Sequence, residues 1–223
     1  MGRNIELTAS DGFKLGAYRA DPAGGPRGGI VLVQEIFGVN NHIKKVADGY
    51  ATDGYLVIAP AFFDRAQRGF DVGYSQVDME AGRGVVQKLD WSKVMLDAQS
   101  AVNELKSAGK CAVVGYCWGG TVAWLSAAKL SGLSCTVAYY GGGVAGMITE
   151  QPQCPVMFHW GEKDHAISQE AVHKVEAAHP SALSHIYPAA GHGFNCDERG
   201  SYEAASAKLA RERTLEFLKN RLA

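Results

Sequence analysis

The sequence predicts a three-layer α/β fold, in which helices cover both faces of a mostly parallel sheet. Strand-length apolar runs alternate with helix-length amphipathic stretches along the whole chain, as they do in sheets of this kind. Runs such as Ile30–Val33 are apolar at successive positions, which is typical of a strand buried on both faces. The chain has 223 residues, of which 47% are hydrophobic and 20% charged, and this suits one domain spanning residues 1–223.

A predicted hairpin at the start is followed by strands and helices in alternation. The predicted strands are Ile5–Thr8, Phe13–Tyr18, Ile30–Val33, Tyr55–Ala59, Cys111–Val114, Thr136–Tyr139, Val156–His159 and Leu183–Tyr187. The predicted helices, which repeat apolar residues at helical spacing, are His42–Thr52, Ser92–Lys106, Thr121–Leu130 and Tyr202–Leu222. Residues 62–77 show no clear pattern. Because ligands bind beyond the carboxyl ends of the strands in such sheets, polar residues directly after strands are the candidates for function.

The composition excludes several classes of function. The formal net charge is −1 and there is no Lys/Arg cluster, so neither nucleic acid nor a membrane surface is an expected partner. The N-terminal residues lack the apolar core of a signal peptide, and the longest apolar runs are too short to cross a bilayer. The five cysteines include no CxxC pair, which favours free thiols over a zinc site. We expect a cytoplasmic monomer or weak oligomer without a metal or other cofactor.

A glycine-flanked cysteine follows the predicted strand Cys111–Val114 and leads into a helix. The segment Gly115-Tyr116-Cys117-Trp118-Gly119 has the pattern G-x-C-x-G, the cysteine form of a nucleophile turn. The glycines remove side chains that would collide in such a turn, and the helix N-terminus favours the thiolate. A lone cysteine is more often a buried apolar residue, but this context favours a nucleophile. The backbone N–H of Trp118 is then placed to bind an oxyanion.

A cysteine nucleophile needs a histidine base and a carboxylate that orients it, and nucleophile turns use the chain order nucleophile, acid, histidine. Asp164 comes just after a predicted strand and is favoured over Glu162 because it lies further into the loop. His192 lies between two glycines after the last strand and is favoured over His165 by chain order. The remaining histidines fall on or beside predicted helices or inside strands: His42, His159, His173, His179 and His185.

The loop after Ile30–Val33 supplies a second candidate donor to the oxyanion, the backbone N–H of Ile36. Glu35 precedes this residue and would face the same cleft. The physics of the sequence alone slightly favours a solvated loop charge for this carboxylate. A role for Glu35 in the chemistry therefore stays open at this point.

The sequence resembles the dienelactone hydrolases, or carboxymethylenebutenolidases, over nearly its whole length. Five segments carry the resemblance, each weak alone but highly specific together: Gln34–Asn40, Asp78–Gly82, Gly115–Gly120, Gly161–His165 and Ala190–His192. The resemblance implies an α/β-hydrolase fold and a Cys–His–Asp triad that matches Cys117, His192 and Asp164. It also implies that the glutamate matching Glu35 pairs with the cysteine and helps to generate the thiolate when substrate binds.

The resemblance also implies a substrate. Members of this family open small lactones, typically carboxylated dienelactones, to maleylacetate-type acids without any cofactor. Hydrolysis of 4-carboxymethylenebut-2-en-4-olide through an acyl-enzyme on Cys117 is therefore the expected reaction. Family members hold the substrate carboxylate with arginines. Cys196 stands where one arginine is expected, with Arg199 as the nearest substitute, and Arg68 or Arg65 could replace the other.

Two alternatives remain open. The missing arginine supports a related carboxylesterase or thioesterase with a different substrate. The other alternative is a non-catalytic ligand-binding or thiol-sensing member of the fold, which would also use a thiolate at Cys117. A sensor, however, does not require His192 and Asp164 in the correct chain order. Oxygen-dependent activity without ester turnover would favour the sensor.

Overall fold

An eight-stranded sheet forms the centre of the protein in the computed structural model, which describes residues 2–222. The strands are Arg3–Thr8 (β1), Lys14–Ala20 (β2), Gly29–Val33 (β3), Leu56–Pro60 (β4), Cys111–Tyr116 (β5), Leu133–Tyr139 (β6), Val156–Gly161 (β7) and Leu183–Tyr187 (β8). They are arranged in the order β1-β2-β4-β3-β5-β6-β7-β8. The strands from β4 to β8 are parallel, whereas β2 is antiparallel to both of its neighbours.

Helices cover both faces of this sheet. They are Asn41–Thr52 (α1), Gln76–Val86 (α2), Trp91–Glu104 (α3), Trp118–Lys129 (α4), Gln169–Ala178 (α5) and Ala204–Leu222 (α6). Every residue of β3, β4 and β5 is buried, as expected for strands covered on both sides. Trp124 of α4 packs on Phe158 of β7, whereas Thr214 of α6 contacts the next residue, His159. Because successive residues of a strand point to opposite faces, these two helices lie on opposite faces of the sheet. The predicted mostly parallel three-layer fold is confirmed.

Several element boundaries differ from the sequence-based prediction. The fourth strand ends on Pro60 instead of before it, and α4 begins at Trp118 instead of Thr121 because Cys117 occupies its N-cap. Helix α2 was not predicted at all. Its start is fixed by a capping box, in which the Ser75 hydroxyl accepts from the Asp78 amide and the Asp78 carboxylate accepts from the Ser75 amide.

In the described part of the chain, three short 3-10 helices connect these elements: Phe62–Arg65, Leu105–Ala108 and Val144–Met147. Within residues 2–222, no helix combines the length and the apolar character that a bilayer span requires. The carboxyl ends of β3, β5, β6, β7 and β8 meet at one edge of the sheet, and the loops that leave this edge carry most of the candidate residues.

Candidate active site

Cys117 lies on the turn between β5 and α4 in a backbone conformation that residues with a side chain rarely adopt, with φ 56° and ψ −117°. A Cβ atom at Gly115 would lie 1.8 Å from the Gly119 carbonyl oxygen. A Cβ atom at Gly119 would lie 2.5 Å from the Gln34 carbonyl oxygen. Only glycine fits at these two positions, so the turn can press against the loop after β3 while α4 points its N-terminus at the thiol.

His192 connects the thiol to a buried carboxylate. Its Nε2 atom lies 3.0 Å from Cys117 Sγ, and its Nδ1 atom lies 2.8 Å from Asp164 Oδ2. The other carboxylate oxygen of Asp164 accepts hydrogen bonds from the amides of Ala166 and Ile167, at 2.8 and 3.1 Å. Asp164 is therefore held in place by its own loop and orients the imidazole toward the thiol. The structure brings these three sequence-predicted residues together.

Opposing influences set the pKa of His192. Burial of the imidazole lowers this pKa, but the negative charge of the Cys117 thiolate and the hydrogen bond to Asp164 act against burial and raise it to about 10. The imidazole is then protonated at neutral pH. A protonated imidazole stabilises a neighbouring thiolate and can donate a proton to a leaving group.

The two predicted oxyanion donors, Ile36 and Trp118, both line the cavity in front of Cys117. The contact between Gly119 and the Gln34 carbonyl brings the loop after β3 next to the N-terminus of α4. Gly82 of α2 lies against the same loop, because a Cβ atom there would be 2.1 Å from the Ile36 carbonyl oxygen. This packing fixes the position of Ile36 from the side opposite the sheet.

Glu35 is buried, with 2% of its surface exposed, and its carboxylate accepts a hydrogen bond from Arg199 Nη1 at 3.1 Å. The Arg199 guanidinium also lies 5.4 Å from the centre of the Phe37 ring. A solvated loop charge is therefore the wrong description of Glu35. The structure brings Glu35 and Arg199 together beside the cavity. The pairing of this glutamate with the thiol on substrate binding, which the family resemblance implies, stays a prediction.

The structure does not place Arg68 at the cavity, which corrects the sequence-based assignment. Its side chain is 60% exposed, and its guanidinium donates to the Lys14 carbonyl oxygen at 2.5 Å. Arg65 is equally remote, since it pairs with both Asp97 and Asp11 at distances of 2.7 to 3.1 Å. The segment that carries these arginines folds back on the hairpin β1–β2 instead of turning toward Cys117.

Arg83, which the sequence did not single out, lines the cavity from α2. No sequence motif marks this residue, and its position follows only from the rotation of α2 about its axis.

Tyr140 is a second residue of the site that the sequence analysis did not single out. It directly follows β6, has φ 37°, and packs its buried ring 5.2 Å from that of His192. Within residues 2–222, its hydroxyl has no hydrogen-bond partner. The position of Tyr140 directly after a buried strand is the feature of the sequence that could have identified it as a candidate site residue.

The cavity in front of Cys117 has a volume of about 310 Å³, which suits a small substrate. Apolar side chains form most of its wall, and the charged or titratable groups that line it are Arg83, Arg199, His192 and the Cys117 thiol. No group of three or more His, Cys, Asp or Glu side chains in the described part of the chain is arranged to hold a metal ion. The polar groups therefore suit attack on a carbonyl carbon next to a negatively charged substituent.

Comparisons with known proteins identify the family of the chain. A family model described as the dienelactone hydrolase family matches residues 15–222. The carboxymethylenebutenolidase of Pseudomonas putida is 32% identical over 228 residues, which cover 98% of this chain and 96% of that protein. A protein of Escherichia coli (strain K12) that is provisionally described as a carboxymethylenebutenolidase is 34% identical over 230 residues, covering 94% of this chain and 84% of that protein.

Solved structures give the same result. A protein of Klebsiella pneumoniae subsp. pneumoniae, provisionally described as a dienelactone hydrolase, superposes with a TM-score of 0.84 and 29% identity. The alignment covers 97% of this chain and 98% of that protein. A dienelactone hydrolase-like promiscuous phosphotriesterase from metagenomic libraries has a TM-score of 0.79 at 21% identity and shares the fold. From the match over residues 15–222 we conclude that the chain belongs to the dienelactone hydrolase family, whose members are hydrolases of ester and lactone bonds.

Proposed function

We propose that the protein opens a small carboxylated lactone, with 4-carboxymethylenebut-2-en-4-olide as the best candidate, through an acyl-enzyme on Cys117. The observation that carries this proposal is the contact of His192 with both Cys117 Sγ, at 3.0 Å, and Asp164 Oδ2, at 2.8 Å. His192 lies within hydrogen-bond distance of both the nucleophile and the orienting acid, at the wall of a cavity of suitable size.

In the first half of the reaction, the Cys117 thiolate attacks the lactone carbonyl carbon and forms a carbon–sulfur bond. The amides of Ile36 and Trp118 stabilise the oxyanion, and the loss of one such donor typically costs about 10²- to 10³-fold in rate. The ring carbon–oxygen bond then breaks. His192 protonates the departing enolate, a contribution worth about 10²- to 10⁴-fold.

In the second half, water attacks the thioester and His192 accepts its proton, so that Cys117 leaves as a thiolate and maleylacetate is released after the enol becomes a ketone. Ring opening leaves the leaving group tethered to the acyl-enzyme, and ring closure therefore competes with hydrolysis. A leaving group that is stable as an enolate favours hydrolysis. This favours enol lactones over ordinary esters.

The carboxylate of the substrate needs a cationic partner, and the cavity offers two arginines. Arg199 is already paired with Glu35 at 3.1 Å. Arg83 lines the cavity from α2 and lies on the same wall as Met79, one helical turn earlier. We assign the carboxylate to Arg83 and Arg199 together. A guanidinium recognises a carboxylate through two parallel hydrogen bonds, which fixes the ring orientation as well as the affinity.

A panel of three substrates tests the reaction class: the dienelactone, p-nitrophenyl acetate and a short peptide. We expect the wild-type protein to turn over the dienelactone and the activated ester but not the peptide, because a thioester intermediate suits activated acyl groups. Cys117→Ala should lower both turnovers to the uncatalysed rate while circular dichroism stays unchanged. Turnover of the peptide alone, or full activity in Cys117→Ala, would remove the proposed function.

Arg83→Met tests the assignment of the carboxylate. We expect kcat/KM for the dienelactone to fall by about 10- to 100-fold, the value of a hydrogen bond to a charged group, and the ratio of dienelactone to p-nitrophenyl acetate activity to fall with it. Arg68→Met is the matched control, because Arg68 lies outside the cavity. An unchanged ratio in Arg83→Met would show that the carboxylate is bound elsewhere.

A further inference from the structure

A second concave region lies next to the catalytic cavity, between α3, α4 and the 3-10 helix Val144–Met147. We call it the α3–α4 groove. Its volume is about 480 Å³ and its surface is mostly apolar. The residues that form its walls include Trp91, Met95, Leu125, Lys129, Met147 and Glu150. The mechanism described above uses none of these side chains.

The walls of the groove continue the walls of the catalytic cavity. On α4, Thr121 lines the cavity and Leu125, one helical turn later, lines the groove. On the segment after β6, Gly143 lines the cavity and Met147 lines the groove. Trp91, at the start of α3, lines both. The two spaces are therefore neighbours along α4, and the Trp91 indole lies between them.

The Trp91 indole stacks on that of Trp118, with ring centroids 5.9 Å apart and planes inclined by 19°. Trp118 in turn follows the nucleophile directly. A ligand that leaves Cys117 along the Trp118 side of the cavity therefore reaches the edge of Trp91 and then the groove. The far end of the groove is marked by an ion pair between Lys129 and Glu150, at 2.5 Å. From Thr121 to Lys129 the helix rises by about 12 Å.

The position of His192 decides which part of a substrate can point into the groove. The leaving group must lie within hydrogen-bond distance of His192 Nε2, because His192 protonates it. The acyl substituent is on the other side of the carbonyl carbon and is directed away from His192. The Trp118 ring packs against Trp91, whereas the His192 ring packs against Tyr140, so the tryptophans and the base have different neighbours around the cavity. An apolar acyl chain that extends from a thioester on Cys117 would thus bury its methylene groups in the groove.

We propose that the α3–α4 groove is an acyl-chain subsite, and that the protein also hydrolyses esters of medium-chain fatty acids, with the chain packed between Met95, Leu125 and Met147. This inference rests on the thioester chemistry proposed for Cys117. The groove is mostly apolar and carries an ion pair at its far end, so it suits an uncharged chain of limited length. The small carboxylated lactone would leave the groove empty.

Initial rates with p-nitrophenyl acetate, butyrate and octanoate test the subsite. We expect kcat/KM to rise along this series by about tenfold or more, because each added methylene is removed from water. Met95→Trp should fill the groove and lower the ratio of octanoate to acetate activity by about tenfold. Met147→Trp should do the same from the opposite wall. Leu209→Trp, on an exposed position of α6, is the matched control and should leave the ratio unchanged.

Met95 and Met147 are both half-buried, so each replacement can be accommodated at the groove surface, and urea unfolding identifies a variant that does not fold. Equal kcat/KM for acetate and octanoate in the wild-type protein would overturn the subsite while the proposed function stands. Calorimetric binding of octanoate to Cys117→Ala gives a readout without turnover. If no ester is hydrolysed but octanoate binds, and Met95→Trp abolishes binding, the subsite stands and the proposed function fails. Failure of octanoate to bind would overturn the subsite.

Discussion

Two buried carboxylates contact residues that line the catalytic cavity, and they have different partners. Asp164 contacts His192 and two backbone amides, so all of its hydrogen bonds hold the imidazole in place. Glu35 contacts Arg199 at 3.1 Å. A substrate carboxylate that binds Arg199 competes with Glu35 for the same guanidinium. We propose that substrate binding frees Glu35 to accept the proton of a Cys117 that is still a thiol. Recognition of the carboxylate would then shift the site toward the pair of thiolate and protonated imidazole, in which His192 keeps its proton for the leaving group.

Glu35→Gln tests this link at the level of a single residue. We expect kcat/KM for the dienelactone to fall by about 10²- to 10⁴-fold, because a glutamine cannot accept the proton, while the urea midpoint changes little. The shape of the amide resembles that of the carboxylate, and its oxygen still accepts from Arg199. An unchanged rate would assign Glu35 a structural role only.

The rate of alkylation by iodoacetamide measures the reactivity of the Cys117 thiol in the absence of substrate. Burial raises the pKa of the other cysteines, to about 12 for Cys135 and about 11 for Cys154 and Cys196. Modification near pH 7 should therefore be selective for Cys117, which faces the cavity. If Glu35 removes the thiol proton only when substrate is bound, Cys117 should be alkylated at the same rate in the substrate-free Glu35→Gln variant and in the wild-type protein. Slower alkylation would show that Glu35 acts before substrate binds.

At the residue scale, the sequence predicts the groups whose positions depend on backbone geometry. Glycines on both sides identified Cys117 and His192, and the position after a strand identified Asp164. The structure brings these three side chains into contact. Arg83 could not be predicted, because its place in the cavity depends on how α2 is rotated and packed. Arg68 was assigned by its distance along the chain, a quantity that does not determine the distance in space.

At the scale of elements, α2 shapes the catalytic cavity through a close contact with the oxyanion loop. Gly82 approaches the Ile36 carbonyl oxygen so closely that no side chain fits between them. The residues that line the cavity from this helix, Met79 and Arg83, flank Gly82. The distance between α2 and the loop therefore fixes both the position of the Ile36 amide and that of the arginine.

Gly82→Ala and Gly84→Ala form a matched pair that tests this contact. A Cβ atom at Gly82 would lie 2.1 Å from the Ile36 carbonyl oxygen, whereas a Cβ atom at Gly84 would meet no atom within 4 Å. We expect Gly82→Ala to displace Ile36 and to lower kcat by about 10²-fold or more, as the loss of one oxyanion donor does. Gly84→Ala should leave kcat unchanged and stabilise the protein by about 1 kcal/mol, since alanine favours a helix. Equal kcat values in the two variants would contradict the role of the contact.

The same two glycines explain why the sequence does not predict α2, whereas it predicts α1, α3, α4 and α6. Each glycine disfavours a helix by about 1 kcal/mol relative to alanine, so the local signal is weak. The packing of Gly82 on Ile36 is a tertiary contact, which no local pattern contains. By contrast, β3, β4 and β5 are apolar at successive positions and were predicted within one or two residues. A strongly buried strand can be predicted from its apolar residues, whereas a helix that is positioned by one close tertiary contact cannot be predicted from a local pattern.

At the scale of the whole molecule, a buried polar cluster joins three strands to the last helix. The His159 ring on β7 lies 2.8 Å from the Tyr187 hydroxyl on β8 through Nδ1, and 3.0 Å from the Thr214 hydroxyl on α6 through Nε2. The Thr214 hydroxyl also lies 2.6 Å from that of Tyr139 on β6. His159 is fully buried, and its polar atoms are all paired. The cluster specifies how α6 packs on the sheet.

This cluster makes the stability of the protein sensitive to acid. Burial, followed by the neighbouring His185 and Arg213, lowers the pKa of His159 well below 6.5. The folded protein therefore binds fewer protons than the unfolded chain below pH 6.5, and the free energy of unfolding must fall as the pH falls through that value. Above pH 6.5 the ring is neutral in both states and makes no contribution. His192 does not contribute to the pH dependence of the free energy of unfolding below pH 6.5, because it is protonated there in both the folded and the unfolded state.

We expect urea unfolding between pH 6.5 and about 5 to show a decrease that approaches about 1.4 kcal/mol per pH unit for this one histidine. His159→Gln should remove that part of the slope, because glutamine can pair with Tyr187 and Thr214 but does not titrate. The variant will be less stable at pH 7, since the amide fills the site less well than the ring, so the slopes and not the absolute values are compared. Equal slopes in wild type and variant would place the acid sensitivity in other groups, such as His185, whose pKa burial and Arg213 also lower. In that case His159 would have a packing role alone. A shallower slope in His159→Gln than in the wild type would instead show that the docking of α6 depends on an uncharged imidazole at the centre of the fold.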